Sequence, residues 1–320
     1  MKLSYLEAIN QAQSEEMARD ESVIVMGEDV RHALYGSTGG LYDRFGADRV
    51  LDTPISEVGF LGAGIGASMT GLRPIVDLGI ASFVYVAMDQ LVSQAAKSRY
   101  MFGGQANLPI TIRAGMFYNI SSAAHHSDRP YPMLMGVPGL KIIAPASPAD
   151  AKGLLKSAIR ENDPVICFED AACWAGKEEV PDGDHIIPLG VGRIVQQGTD
   201  ITLVTIAGAR RASQAAAAAL AKENISVEVI DPRTLVPLDI DMILASVAKT
   251  GRLVIVDPAH RTCSAAAEIS ALVAEYAFDC LKAPIRRVVT PDIQIPYSPA
   301  LEKGMYPNEQ SIIAAIRKSL

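Results

Sequence analysis

The chain has 320 residues, of which 49% are hydrophobic and 20% are charged, and its formal net charge is −7. This length is enough for two domains, each with a core of its own. The negative charge and the lack of a basic stripe argue against nucleic acid as a partner. No apolar run approaches the ~20 residues that span a bilayer, and residues 1–3 lead into a predicted helix without the features of a signal peptide.

The cysteines indicate a reducing compartment. Cys167, Cys173, Cys263 and Cys280 lack the close pairs that zinc sites and redox dithiols use. Reduced thiols are the simplest interpretation, and they are typical of cytosolic proteins. The composition therefore predicts a cytoplasmic enzyme or subunit without a membrane partner.

Strand and helix patterns alternate along the first half of the chain. Ser4 and Glu7 have the spacing of a capping box, which predicts a helix through about Met17. Strands are predicted over residues 23–26, 75–78, 108–113, 141–144 and 165–168, and Ser147 is predicted to cap a helix that ends near Arg160. This alternation predicts an α/β fold whose mostly parallel sheet is covered by helices on both faces.

The stretch 51–90 is unusual because its first predicted helix carries few large side chains. That helix begins at Glu57, the only carboxylate between Pro54 and Gly71. Glycine inside a helix costs roughly 0.5–1 kcal/mol relative to alanine, so the glycines here require a compensating close contact with another backbone or a flat ligand. We predict that this helix is buried and that Glu57 lies at the entrance to a binding site. The simpler alternative is that Glu57 only complements the helix dipole.

The glycines of this helix do not form a nucleotide-binding motif. Gly62, Gly64 and Gly66 are spaced G-x-G-x-G inside the helix, whereas the dinucleotide fingerprint has G-x-G-x-x-G directly after a strand. Close helix packing explains them better. The sequence also lacks a Walker-type phosphate loop and the G-x-S-x-G elbow of a Ser-His-Asp hydrolase.

A long loop with little periodicity is predicted over residues 114–135. It contains His125, His126, Asp128 and Arg129. Loops of this length inside a compact domain are usually functional or mobile. His126 taken alone can equally be a loop histidine bonded to the backbone, so spacing leaves the function open between an enzyme and an assembly subunit.

The alternating pattern stops near Ala171 and restarts near Thr199. This predicts a first domain over residues 1–185, a linker over residues 186–198 and a smaller α/β domain over residues 199–320. Strands of the second domain are predicted over residues 201–206, 226–230, 253–256 and 285–289, and helices over residues 210–222, 242–248, 265–276 and 310–320.

Several longer motifs, taken together, resemble one family. They are D-T-P-I-S-E at 52–57, the segment 83–90, H-H-S at 125–127, P-G-L-K-I-I-A-P-A-S-P-A-D-A-K-G-L-L at 138–155, I-D-P-R-T-L-V-P-L-D at 230–239, K-T-G-R at 249–252 and P-Y-S-P-A-L-E at 296–302. In this order they are similar to the beta subunit of the thiamine-diphosphate-dependent, decarboxylating component of 2-oxo acid dehydrogenase complexes. Members of that family act on pyruvate, branched-chain 2-oxo acids or acetoin. The likeness covers nearly the whole chain.

The resemblance implies a pyrimidine-binding domain of the transketolase type, followed by the smaller transketolase C-terminal-type domain. It implies that Glu57 hydrogen-bonds a ring nitrogen of the cofactor's aminopyrimidine and favours the imino tautomer that acts as a base. The backbone carbonyl of Ile55 would accept a hydrogen bond from the exocyclic amine, and Phe83 would stack on the ring. His126 matches the active-site histidine that handles protons or anionic groups during acyl transfer to lipoamide.

The resemblance also implies a partner chain. Enzymes that use thiamine diphosphate hold the diphosphate through a divalent metal on a G-D-G segment followed by an asparagine, and this chain lacks that combination. A separate alpha subunit should therefore supply the diphosphate and Mg²⁺ sites, in an assembly of two alpha and two beta subunits that feeds a dihydrolipoyl acyltransferase core. The resemblance further implies a structural potassium site on the backbone carbonyls of Ile110, Ala158, Ile159, Glu161 and Asp163.

The sequence departs from the family pattern around the predicted substrate mouth. Gly79 replaces a usual Gln or Met, and the loop after the histidine reads Ser127-Asp128-Arg129-Pro130 instead of S-Q-S-x. Residues 257–264 replace a segment that usually carries a glutamate and paired glycines. Two alternatives therefore stay open. One is a thiamine-diphosphate carboligase or split transketolase subunit that acts on another substrate, and the other is a non-catalytic assembly subunit.

Overall fold

The computed structural model describes residues 1–174 and 176–320, in which helices and strands alternate around two larger sheets. The strands are β1 Lys2–Ser4, β2 Val23–Gly27, β3 Val50–Asp52, β4 Arg73–Ile80, β5 Thr111–Met116, β6 Lys141–Ile143, β7 Val165–Asp170, β8 Lys177–Glu179, β9 Arg193–Gln196, β10 Ile201–Thr205, β11 Val227–Asp231, β12 Thr234–Val236, β13 Leu253–His260 and β14 Arg286–Thr290.

The α-helices are α1 Tyr5–Arg19, α2 Leu41–Phe45, α3 Glu57–Met69, α4 Ala96–Met101, α5 Ala123–His126, α6 Tyr131–Met135, α7 Pro148–Arg160, α8 Arg210–Ala221, α9 Ile240–Thr250, α10 Ala265–Tyr276, α11 Pro299–Glu302 and α12 Glu309–Arg317. Short 3₁₀ helices are Ala81–Tyr85, Ala171–Cys173, Ala207–Ala209 and Phe278–Cys280, and a π-helical turn covers Gln90–Ala95. None of the helices in the described ranges is long and apolar enough to cross a membrane.

The first sheet has seven strands in the order β12-β6-β7-β5-β4-β2-β3. All of its pairs are parallel except β12 with β6. Helices α1 and α7 contribute to the apolar core on one face, and α3 and the π-helical turn contribute to the core on the other face. The predicted mostly parallel α/β fold is confirmed for this half of the chain.

The second sheet has five strands in the order β14-β13-β10-β11-β9. Only β9 runs antiparallel to its neighbour. Side chains from α8 and α12 pack against one face, and side chains from α9 and α10 contribute to the core on the other. The predicted second, smaller α/β domain is confirmed.

The structure links the two halves more closely than the sequence pattern indicates. Strand β9 lies inside the segment predicted as a linker, and β12 of the second half adds to the edge of the first sheet. Asp150 on α7 also forms ion pairs with Arg210 at 2.8 Å and with Arg233 at 2.7 Å, both from the second half. The division at residues 185 and 199 stays a prediction, since strands this short carry too little periodicity to place a boundary.

Local capping predictions are confirmed at two helices. The Ser4 hydroxyl accepts a bond from the Glu7 amide at 3.3 Å, and the Glu7 carboxylate accepts one from the Ser4 amide at 2.7 Å. Ser147 caps α7 by accepting a bond from the amide of Asp150. Strand β5 begins at Thr111 rather than at residue 108, because Pro109 has no N–H to donate to a sheet. The predicted loop is shorter because β5 continues to Met116, and it contains α5 and α6.

The prediction that the glycine-rich helix is buried is correct for one face of α3 only. A Cβ at Gly64 would lie 2.8 Å from a Val76 methyl on β4, so this glycine permits close packing of helix and sheet. Gly62 and Gly66 do not face the core in this way. Val58, Ala63 and Met69 on the outer face of the helix are exposed. The outer face of α3 is therefore apolar and nearly flat, and it lies at the surface of the chain.

Gly139 provides a test of how the segment before β6 packs against the start of α4. Its φ is +100°, and an added Cβ would overlap the backbone carbonyl of Ala96. We expect Gly139→Ala to lower the free energy of unfolding by about 2 kcal/mol or more. Gly136→Ala is the matched control, because Gly136 has a φ of −83° and open space around its Cβ position. Urea unfolding checks both variants, and equal midpoints would contradict the described packing.

Candidate active site

Three of the predicted site residues line one cleft. Ile55, Phe83 and His126 border a cavity of about 320 Å³ at the carboxyl ends of the parallel strands of the first sheet. Ile55 follows β3, Phe83 follows β4, and His126 follows β5 in the chain. This edge is where ligands bind in open α/β sheets. The volume is at the lower end of ligand pockets, which hold roughly 300–1,000 Å³.

Local backbone features place the two rings of the cleft beside each other. Gly79 has a φ of +67°, and its amide donates to the carboxylate of Asp77 at 2.9 Å, which turns the chain at the end of β4. The next residues form the 3₁₀ helix that carries Phe83. His126 ends α5, and the two ring centroids lie 5.7 Å apart at an interplanar angle of 82°. This edge-to-face contact is a favoured aromatic geometry.

Glu57 lies at the first position of α3 with only 8% of its surface exposed. Its carboxylate takes part in none of the hydrogen bonds among the described residues, and Ser56 provides no side-chain cap for the helix. A helix N-terminus favours a negative charge at this place. Glu57 does not itself line the 320 Å³ cleft, but it is two residues from Ile55, which does.

Glu28 was not predicted as a site residue, yet it lines the cleft. Burial raises the pKa of its carboxyl group, and the nearby charges of Asp29 and Glu57 raise it further. The sequence signal was available, since Glu28 directly follows β2 at the sheet edge where Ile55 and Phe83 also lie.

A buried ion cluster lies beneath the cleft. The guanidinium of Arg113 donates to Glu169 at 2.7 and 2.9 Å and to Asp77 at 2.8 Å. Burial by itself lowers the pKa of Arg113, but the two carboxylates outweigh that effect and hold it above the usual range. Each nitrogen of this guanidinium is already bonded within the chain. It is therefore committed to structure and is not free to bind an anion in the cleft.

The charges that line the cleft are negative. Glu28, Asp29 and Asp77 border it, and no lysine or arginine in the described ranges does. Phe83 and His126 also line a second, broader cavity of about 1310 Å³. Among the described residues, the histidines are the only basic side chains that line it. Within the part of the chain that the structure describes, no cluster of three or more His, Cys, Asp or Glu is placed to hold a metal ion.

Four of the five carbonyls predicted to bind potassium already have partners within the chain. Those of Ile159 and Glu161 accept bonds from the guanidinium of Arg73 at 3.0 and 2.9 Å. The carbonyl of Ile110 accepts the Val165 amide, and the carbonyl of Ala158 accepts the amide of Glu161. The side chain of Asp163 pairs with Arg99 and Lys141. The potassium site stays a prediction, in which an ion would share two carbonyls with Arg73.

Two family models match the chain in sequence. Residues 1–171 match the transketolase pyrimidine binding domain, and residues 190–312 match the transketolase C-terminal domain. A solved chain described as split gene transketolase, inactive beta4 tetramer, superposes with a TM-score of 0.82 over 99% of this chain and 98% of that chain. Its sequence identity is 21%, so this likeness shows the fold alone.

Curated relatives match along their full length. The acetoin:2,6-dichlorophenolindophenol oxidoreductase subunit beta of Cupriavidus necator is 46% identical, with 100% of this chain and 98% of the relative covered. The 2-oxoisovalerate dehydrogenase subunit beta of Bacillus subtilis is 40% identical, and the pyruvate dehydrogenase E1 component subunit beta of Rickettsia felis is 42% identical. Both alignments cover 99% of this chain and 98% of the relative. This chain belongs to the transketolase-like family of beta subunits of thiamine-diphosphate-dependent 2-oxo acid dehydrogenases.

Proposed function

We propose that this chain supplies the pyrimidine half of a thiamine diphosphate site, and that an alpha subunit supplies the half that holds the diphosphate and Mg²⁺. The observation that carries the proposal is the cleft that Ile55, Phe83 and His126 share, because its charged side chains are acidic. A neutral aminopyrimidine ring is compatible with such a cleft, whereas a diphosphate would be repelled by the carboxylates.

The residues of the cleft suit a flat, weakly polar ring. Phe83 offers an aromatic face or edge for stacking, worth ~0.5–1.5 kcal/mol beyond the area buried. Ile55 directly precedes Ser56, the N-cap residue of α3. Its backbone carbonyl is the proposed acceptor for the exocyclic amine of the pyrimidine. When bound, the cofactor supplies the carbanion chemistry of decarboxylation.

Glu57 is proposed to hold a proton at the ring nitrogen that faces it. Its burial and its lack of a hydrogen-bonding partner among the described residues leave the carboxylate available for that role. His126 lies against Phe83 at the boundary between the narrow cleft and the broad cavity. We propose that it orients the substrate or exchanges a proton with it from that position.

The surface around Glu57 supports a partner chain. The side chain of Ile55 is 74% exposed and that of Val58 44%, and both flank a nearly buried carboxylate. The flat apolar face of α3 continues this surface. Large exposed apolar side chains that adjoin one another typically mark an interface. We propose that the alpha subunit covers this face in an assembly of two alpha and two beta subunits.

We further propose that the assembly oxidatively decarboxylates a small 2-oxo acid and transfers the acyl group to the lipoamide of a dihydrolipoyl acyltransferase core. The broad cavity bordered by His126 and the exposed Tyr297 is a suitable entry for a lipoyl arm. A cytoplasmic location fits the four free cysteines.

A substrate panel tests the reaction class. The co-expressed alpha and beta chains, loaded with thiamine diphosphate and Mg²⁺, are assayed with pyruvate, 2-oxoisovalerate and acetoin and with 2,6-dichlorophenolindophenol as the electron acceptor. We expect reduction of the dye with pyruvate or 2-oxoisovalerate and none when either chain is left out. Reduction with acetoin alone would contradict the proposed decarboxylation, because acetoin has no carboxylate to lose. Transfer of a ketol group between sugars without dye reduction would instead favour the split transketolase alternative.

Glu57→Gln distinguishes a catalytic acid from a helix cap. If Glu57 holds the proton, we expect turnover to fall by on the order of 100-fold or more, because general acid–base catalysis contributes ~10²–10⁴-fold. Glu309→Gln is the matched control, since Glu309 is the first residue of α12 as Glu57 is of α3. A helix-dipole role predicts the same loss of ~0.3–1 kcal/mol in stability for both variants and unchanged turnover. That result would contradict the proposed role of Glu57.

The potassium site is tested by thermal unfolding in different salts. A carbonyl oxygen has two lone pairs, so the carbonyls of Ile110 and Ala158 can each accept a further interaction. If potassium binds, the melting temperature should rise by ~2 °C or more when NaCl is replaced by KCl at the same concentration. Identical melting temperatures would contradict the site.

A further inference from the structure

The helical turn that carries His126 has a conformation that requires support from its surroundings. Asn119, Ser121 and Ala123 all have positive φ angles, of 51°, 58° and 54°. A non-glycine residue in this region is strained and persists only where contacts around it fix the backbone. A four-residue helix such as α5 contributes little stability of its own.

The first support holds the entry to this turn. The amide of Ser121 donates to the carboxylate of Glu302 at 2.9 Å. Glu302 ends α11 and is buried, and its other carboxylate oxygen has no hydrogen-bond partner among the described residues. A buried carboxylate that accepts a backbone N–H forms a charge-assisted bond, which is stronger than a neutral one.

The second support holds the exit. Arg129 is 7% exposed, and its guanidinium donates to the carbonyl of Ser127, the residue after His126, at 2.7 Å. The same guanidinium lies 4.6 Å from the ring centroid of Tyr306 and 3.8 Å from the carboxylate of Asp170. A desolvated cation over an aromatic face is attracted by the electrons of the ring. Arg129 therefore fixes the loop by charge as well as by a hydrogen bond.

Both supports come from one short segment of the second domain. Glu302 and Tyr306 are four residues apart, and the ring of Tyr306 also packs against Tyr118 at a centroid distance of 4.6 Å. Tyr118 and Arg129 bracket the loop, so Tyr306 contacts both of its ends. Arg129 does not line either cavity that His126 borders, which separates it from direct contact with a substrate there.

We infer that Arg129 and Glu302 are positioning residues through which the second domain holds His126 against Phe83. The inference rests on the proposed function, in which His126 acts on the substrate. Releasing either end of the loop should let His126 leave the wall of the cleft.

Two pairs of variants test this in the assembled complex with an alpha chain. Arg129→Met removes the charge and the donor, and Arg129→Lys keeps both. Glu302→Ala removes the acceptor of the Ser121 amide, and Glu302→Gln keeps an acceptor oxygen. We expect the Met and Ala variants to lower kcat by on the order of 10- to 100-fold, since small misplacements of catalytic groups have effects of this size. The Lys and Gln variants should recover most of that loss, and the Kd of thiamine diphosphate should stay unchanged.

Hydrogen exchange supplies a readout that does not depend on turnover. In the Met and Ala variants, amides of residues 119–128 should exchange faster while those of α3 do not change. Unchanged exchange in that loop, or faster exchange with unchanged kcat, would overturn the inference. If the Met or Ala variant at one position unfolds globally, the pair of variants at the other position decides. Unchanged loop exchange in that pair also overturns the inference.

His126→Ala separates this inference from the proposed function. Normal turnover in that variant would show that His126 is not required, and the proposed function of His126 would fail even if the loop data agreed with the two supports. Arg317→Met is the control for arginine loss, because Arg317 is an exposed residue of α12 that pairs only with Glu223 among the described residues. It should leave loop exchange and kcat unchanged.

Discussion

Repulsion between carboxylates and phosphate is the physical constraint on which the account of this site depends. Glu28 and Asp29 border the cleft that also contains Phe83 and His126, and Asp77, which borders it too, shares the single guanidinium of Arg113 with Glu169. Such a cleft favours a neutral or protonated ring and excludes a diphosphate. In the proposed function the charged end of the cofactor lies against groups of the alpha subunit, and the second chain completes the site.

Packing explains how the sheet presents this cleft to a partner. Gly64 lets α3 lie close to β4, and the remaining small residues leave the other face of the helix flat and apolar. Helix α3 therefore has one face packed against the sheet and another face that is uncovered in the single chain. Glu57 lies at the beginning of this helix, so the partner that covers α3 would also exclude water from the carboxylate. Exclusion of water strengthens each electrostatic interaction in the site.

Much of the fold was accessible from the sequence, because it depends on local signals. The capping residues Ser4 and Ser147 and the buried strands were predicted with small errors at their ends. The cleft residues Ile55, Phe83 and His126 were found through a family resemblance, since spacing alone does not distinguish them from structural residues. Contacts that depend on tertiary approach were missed. The strand Thr234–Val236 joins the first sheet, and Arg129 packs on Tyr306. No local pattern encodes these long-range pairs.

The central claim is that this chain holds the pyrimidine ring and a partner holds the diphosphate. A structure of the assembled complex with bound thiamine diphosphate tests it most directly. The account predicts a carboxylate oxygen of Glu57 within roughly 2.6–3.2 Å of a pyrimidine nitrogen, with the phosphates and Mg²⁺ contacted by the alpha subunit. A Glu57 carboxylate that faces solvent away from the interface between the chains, or a diphosphate held by lysine or arginine side chains of this chain, would contradict it.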